Sequence, residues 1–114
     1  MARRNLDRNE QIVRGSGNVF ADLGYPDATE RQAKLRLAFA LNHVLDERKL
    51  TQHQAASVLG VNQPKVSALR RYRLAGFSVE RLMLLLTALD QDIEIVIKRK
   101  PRSRRVARIS VVAA

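Results

Sequence analysis

At 114 residues and 12.9 kDa the chain has room for one compact domain with tails, which excludes a multidomain enzyme, since independent domains run to roughly 100–150 residues. Hydrophobic residues make up 46%, with three Phe, two Tyr and no Trp, so the core is expected from Leu, Val, Ile and Ala. Twenty-one Lys and Arg against 11 Asp and Glu give a formal charge of +10, which points to a polyanionic partner, while the absence of Cys removes disulfides, thiolate nucleophiles and thiolate-ligated metal sites.

No apolar run approaches the roughly 18 residues of a membrane span, and Met1 leads into Arg, Asn and Asp, so a soluble, cytoplasmic protein is expected. Residues 1–26 mix Arg3, Arg4, Asp7, Arg8, Asn9 and Glu10 with Gly15, Gly17 and Gly24 and carry no sustained period; they read as an N-terminal arm. Helical signals begin at Asp27, placed after Pro26 and three residues before Glu30 as in a capping box. Leu37, Leu41, Val44 and Leu45 then fall on one helical face that must be buried, and the helix is expected to end near Lys49.

Thr51 and Gln54 repeat the capping-box spacing, with Leu50 and Ala55 as a small hydrophobic staple, and predict a second helix over 52–59 that stops at Gly60. Asn62 caps a third helix with Pro64 in its first turn, where a missing N–H costs little, running to about Arg71. Ser78 caps a fourth, with Phe77 and Leu82 as staple and Leu82, Leu85, Leu86 and Leu89 as its buried face. Beyond Asp90 the period changes to two: Ile93, Ile95 and Ile97 alternate with Glu94, Val96 and Lys98, a strand signal over 91–99. An isolated strand needs a partner, which is either Ile109 to Val112 folded back, the arm near Ile12 and Val13, or the same strand of a second copy. Seven basic residues and no acid between Lys98 and Arg108, interrupted by Pro101 and Ser103, give a basic tail expected to be mobile.

Residues 51–71 thus hold two short helices joined by a turn of about three residues containing Gly60, the spacing of a helix-turn-helix whose second helix enters the DNA major groove. Ala55, Ala56, Leu59, Val61, Val66 and Leu69 form a small-residue core that lets the two helices cross closely. Gln63, Lys65, Ser67 and Arg70 are left to point elsewhere, and Gln reads adenine, Lys reads guanine and a Ser hydroxyl serves a base or a phosphate. Between Arg48 and Val79 there are six basic residues (Arg48, Lys49, Lys65, Arg70, Arg71, Arg73) and no acid, a distribution better suited to phosphate contact than to a mixed solvated surface.

These residues carry a resemblance. Thr51-Gln52, Ala55-Ala56, Leu59-Gly60-Val61, Gln63, Val66-Ser67 and Leu69 resemble the Xre family of lambda-repressor-like helix-turn-helix proteins. Ser16 to Gly24, with Ala75-Gly76-Phe77-Ser78 and Arg81-Leu82, is similar to the HigA-like antitoxins within it. The resemblance covers about residues 12–98. It implies an all-α bundle of four to five helices with a short C-terminal β-strand pairing across a homodimer, the domain over 27–90 and the basic tail over 100–114.

The implied function is that of a sequence-specific repressor of operator DNA in the bacterial cytoplasm, nucleoid-associated when bound, with no cofactor, metal or catalysis. The narrower resemblance implies an autorepressing antitoxin that neutralises a RelE-like or HigB-like ribonuclease toxin; the arm over 12–26 is then the candidate toxin contact. By position, Gln52 would bond a phosphate and brace Gln63, and Gln63 would read a base. Pro64, Lys65, Ser67 and Ala68 would fill the groove face, with Arg70, Arg71 and Arg73 gripping the backbone. Arg71-Tyr72-Arg73 departs from the family, standing where a glycine-containing turn is frequent.

Other features carry blander readings. His43 and His53 lie on different helices without Cys or a carboxylate pair and read as surface histidines. Gly15-Ser16-Gly17 lacks the Lys-Ser/Thr of a phosphate loop. Asp46-Glu47 reads as a solvated helix end, and the leucine stripe of the fourth helix as core. A solitary regulator of the same fold, or a nonspecific nucleic-acid binder that works through its tail, are the alternatives to the antitoxin.

Overall fold

The structure is a computed structural model that describes residues 27–113. Four helices form in chain order: α1 (Asp27–Glu47), α2 (Gln52–Leu59), α3 (Gln63–Arg70) and α4 (Val79–Ala88). The chain divides into two compact units, Met1–Gln32 and Ala33–Ala114; of the first, residues 27–32 are described and open α1, and the second holds the core. The arm over 1–26, including the Ile12-Val13 pairing and the glycine-bounded segment, lies outside the described residues; α1 opens at Asp27, the residue expected to cap it.

Each later helix begins where its cap dictates. The Thr51 hydroxyl accepts from Gln54 N at 3.1 Å while Gln54 Oε1 accepts from Thr51 N at 2.9 Å, closing the capping box of α2. Asn62 Oδ1 accepts from Lys65 N at 2.9 Å and the Ser78 hydroxyl from Arg81 N at 3.0 Å, so α3 and α4 also start on side-chain acceptors for otherwise orphaned amides.

All four helices end in one way. After α1, Leu50 N donates to Leu45 O; after α2, Val61 N to Ala56 O; after α3, Arg73 N to Ala68 O; and after α4, Gln91 N to Leu86 O. This six-to-one closure requires a left-handed residue just beyond the helix. Gly60 supplies it after α2 with φ 70°, while Lys49, Tyr72 and Asp90 supply it elsewhere with φ 55°, 59° and 63°. The glycine-containing turn absent from the sequence after α3 is therefore made by Tyr72.

The core gathers Leu37, Ala38, Leu41, Val44 and Leu45 of α1, Ala55, Ala56 and Leu59 of α2, Val66 and Leu69 of α3, the linker residues Leu74 and Phe77, and Leu82, Leu85, Leu86 and Leu89 of α4 and its exit. Every stripe expected from the helical period is buried. Isoleucine departs from expectation: among the described residues none is in the core, and Ile95 and Ile97 are 75% and 93% exposed.

The C-terminal strand is corrected for the single chain. Residues 91–113 form no strand among the described residues, so the fold-back of 109–112 onto 93–97 does not occur. A short ladder with no second chain beside it has nothing to satisfy its backbone groups except water. The tail also departs from the expectation of a mobile segment at one place: Val111 packs against the core and its carbonyl accepts from Arg36 Nη1 of α1 at 3.1 Å.

Candidate nucleic-acid interface

Helices α2 and α3 pack through the small and branched residues that the spacing singled out. Ala55 and Ala56 are small enough to admit Val66 and Leu69, both fully buried, and Val61 in the turn closes the seam half-buried. Because Val66 and Leu69 are drawn inward, the opposite side of α3 faces out: Gln63, Pro64 and Lys65 are exposed, and Ser67 is half-buried. Ala68 is half-buried and packs against the core, so it offers less to a groove than its position suggests.

The basic residues divide into two groups. Arg70 turns toward α1: its Nη1 donates to Asn42 O at 3.2 Å and to Asn42 Oδ1 at 3.0 Å, and its Nη2 pairs with Asp46. Arg48 likewise turns inward, donating from Nη2 to Leu89 O at 2.6 Å beside Asp90 at 3.7 Å. Arg70 thus ties α3 to α1, and Asp46 is its counter-ion instead of an idle helix end. Arg71 and Arg73, in contrast, are exposed, and no hydrogen bond or ion pair among the described residues engages their side chains.

Lys65 sits between these groups. It is exposed, its Nζ lies 4.8 Å from the centroid of the Phe77 ring, and it is 3.4 Å from Gly76 O. These contacts aim the ammonium along the linker without burying it.

Gln63 is braced, but by a different residue from the one expected. Its Nε2 lies 3.1 Å from His53 Nδ1, whereas Gln52 is exposed and its side chain makes no hydrogen bond among the described residues. The sequence offered the signal that His53 is the second residue of α2 and Gln63 the first of α3, two positions that the tight turn brings side by side. His43 behaves as a surface residue, 3.4 Å from Glu47 one turn on, and among the described residues no group of three His, Cys, Asp or Glu is arranged to hold a metal.

Sequence reasoning also missed Asn42. It is 5% exposed, and its Nδ2 donates to Leu69 O at 3.0 Å while its Oδ1 accepts from Arg70. A buried amide satisfied at both ends fixes the C-terminal turn of α3 on α1. Its signal was an amide one turn after Ala38 in an otherwise apolar face.

This geometry, two short helices crossing at a left-handed glycine with the second presenting polar and basic groups outward, defines a helix-turn-helix. A family described as a helix-turn-helix domain matches residues 19–98. A solved structure described as an XRE family transcriptional regulator is 73% identical, covering 78% of this chain and 100% of its own, with a TM-score of 0.76. No curated protein matches the chain in sequence. The chain belongs to the XRE family of helix-turn-helix proteins. No helix among the described residues is long and apolar enough to cross a membrane.

Proposed function

We propose that the protein is a sequence-specific, DNA-binding transcriptional regulator that lays α3 into the major groove. The observation carrying this reading is the outward row of Gln63, Lys65 and Ser67 on α3, continued by the exposed, unengaged Arg71 and Arg73, in a chain 73% identical to an XRE family transcriptional regulator. Gln63 reads a base; Lys65 and Ser67 meet base edges or phosphates; Arg71 and Arg73 hold the backbone, with Gln52 on a phosphate from α2. No catalytic role is assigned.

The regulator acts as a homodimer. Ile95, Val96 and Ile97 are 75%, 71% and 93% exposed with open backbone edges, and pairing residues 91–99 of two copies would cover them. A dimer places two recognition helices about 34 Å apart on a pseudo-palindromic operator. Autorepression as the antitoxin partner of a RelE-like toxin is the narrower reading, supported by the resemblance of residues 16–24 and 75–82. A solitary regulator is the other, favoured by the matched structure's description as a transcriptional regulator.

Fluorescence anisotropy on the DNA upstream of the gene against a scrambled duplex, in about 150 mM salt, tests base readout. About tenfold preference, or about 1.4 kcal/mol, is expected; equal binding to both duplexes would remove the sequence-specific reading. Gln63→Ala is expected to relax base preference, and Arg71→Ala to weaken all sequences alike and reduce the salt slope by about one. Co-purification of a small basic protein encoded beside the gene separates the antitoxin from the solitary regulator.

A further inference from the structure

We propose that Tyr72 is a DNA-backbone contact whose phenolic hydroxyl donates to a phosphate oxygen, flanked by Arg71 and Arg73, an inference that rests on α3 entering the major groove. The residue is the left-handed exit of α3, and nothing among the described residues uses its ring or its hydroxyl.

Tyr72 closes α3 at φ 59°, a region where a Cβ crowds its own backbone. Gly60 and Asp90 close their helices with residue types that suit this region, whereas a bulky ring does not. Packing does not offset the strain. The side chain is 39% exposed and lies outside both the core and the half-buried residues packed against it. Its hydroxyl makes no hydrogen bond among the described residues. A strained residue whose side chain is left unused by the fold points to a task outside it.

The position of Tyr72 suggests the task. Helix α3 spans eight residues, Gln63–Arg70, about 12 Å at 1.5 Å per residue. The major groove is about 12 Å wide, and a recognition helix meets base edges through its N-terminal residues. With Gln63 on a base, the other end of so short a helix lies about one groove width away, at the phosphate rim.

The backbone cannot hold a phosphate there. The amides of Arg71, Tyr72 and Arg73 are spent on the carbonyls of Ser67, Ala68 and Leu69, and the C-terminal end of a helix dipole repels an anion. Attraction must come from side chains, and Arg71 and Arg73 supply it as exposed cations unengaged among the described residues. The Tyr72 hydroxyl adds direction, a single donated hydrogen bond that carries no charge.

That neutrality separates its role from theirs, because the salt dependence of DNA binding counts phosphates neutralised by cations. Removing the hydroxyl weakens binding by the same factor at every salt concentration; removing an arginine also lowers the slope.

The test titrates the full chain by fluorescence anisotropy against the duplex upstream of its gene, from about 50 to about 200 mM salt. Tyr72→Phe is expected to weaken binding about tenfold throughout, with salt slope and melting temperature unchanged. Arg71→Ala is expected to lower the slope by about one. Tyr72→Gly relieves the backbone strain, and is expected to melt higher yet bind at least as weakly as Tyr72→Phe. Duplexes carrying one neutral methylphosphonate at each backbone position in turn locate the contact. At one position that substitution is expected to cost the wild type more than it costs Tyr72→Phe.

Wild-type affinity in Tyr72→Phe, a changed salt slope, or a loss that no methylphosphonate position shares overturns the contact while α3 remains the reader. Unchanged affinity and base preference in both Gln63→Ala and Arg71→Ala remove α3 from the groove, and the inference with it.

Discussion

Tyr72 and Gly60 do the same backbone work with opposite side-chain consequences. Both close a helix in the left-handed region, at φ 59° and 70°, but only glycine does so without crowding its own Cβ. Tyr72→Gly is expected to stabilise the fold by about 0.5–1 kcal/mol, after allowance for the looser unfolded chain, and to raise the melting temperature by a few degrees. Gly60→Ala is expected to cost about 1 kcal/mol, although an added Cβ would meet nothing within 4 Å, because the strain lies in the backbone alone. A Tyr72→Gly protein that melts lower would show that the ring packs more than its 39% exposure suggests.

Asn42 and Arg70 supply the second residue-level contrast. Asn42→Ala strips Leu69 O and the Arg70 guanidinium of buried partners at once, with an expected loss of about 1–3 kcal/mol in denaturant unfolding. Asp46→Ala removes only a partly exposed ion pair and should cost less than about 1 kcal/mol. Equal losses from both would assign the anchoring to charge instead of to the buried amide.

At the scale of elements, the helices were legible because their boundaries are written in local chemistry. A capping side chain meets an amide three residues on, and apolar residues recur on one face; neither needs the rest of the chain. The Thr51, Asn62 and Ser78 caps and the 37, 41, 44, 45 and 82, 85, 86, 89 stripes appear as the sequence predicts. Thr51→Ala, which removes the hydroxyl that accepts from Gln54 N and leaves only the backbone half of the capping box, is expected to cost about 1 kcal/mol, measurable as faster amide exchange over the first turn of α2. Unchanged exchange there would mean that tertiary packing alone holds α2.

The strand failed where the helices succeeded because its hydrogen bonds are non-local. Alternation at 93–97 gives two faces but no partner, and the single chain provides none among its described residues. If two copies pair there, sedimentation should report a dimer at micromolar concentration. Lys substitutions at Ile95 and Ile97 should return it to monomer without lowering the stability of the helical core; a dimer that survives them places the interface elsewhere.

For the molecule as a whole, the +10 charge is a long-range property that summation alone establishes, but its distribution is a matter of folding. Arg48 and Arg70 are drawn into internal bonds, so of the six cations between residues 48 and 79 Lys49, Lys65, Arg71 and Arg73 remain exposed, with Lys65 on α3 and Arg71 and Arg73 just beyond it. The seven cations of 98–108 add a second, sequence-independent source of affinity. Deleting residues 98–114 should therefore lower the salt slope and overall affinity while keeping the preference for upstream over scrambled DNA. Loss of all binding would instead make the tail the principal DNA contact. The same deletion removes Val111 from the core and Arg36 from its carbonyl acceptor, and is expected to cost about 1 kcal/mol of stability.

The sequence by itself determined the helices, their caps, the apolar faces, the helix-turn-helix spacing and the charge balance, because each depends on residues within a turn or two of one another or on a simple sum. Only the tertiary structure decided that Arg70 serves Asn42 and Asp46, that His53 and not Gln52 touches Gln63, and that Val111 returns to the core. Those pairings join residues 10 or more positions apart in sequence, and which long side chain meets which acceptor is set by how the packed helices orient them, a choice that residue type and spacing leave open.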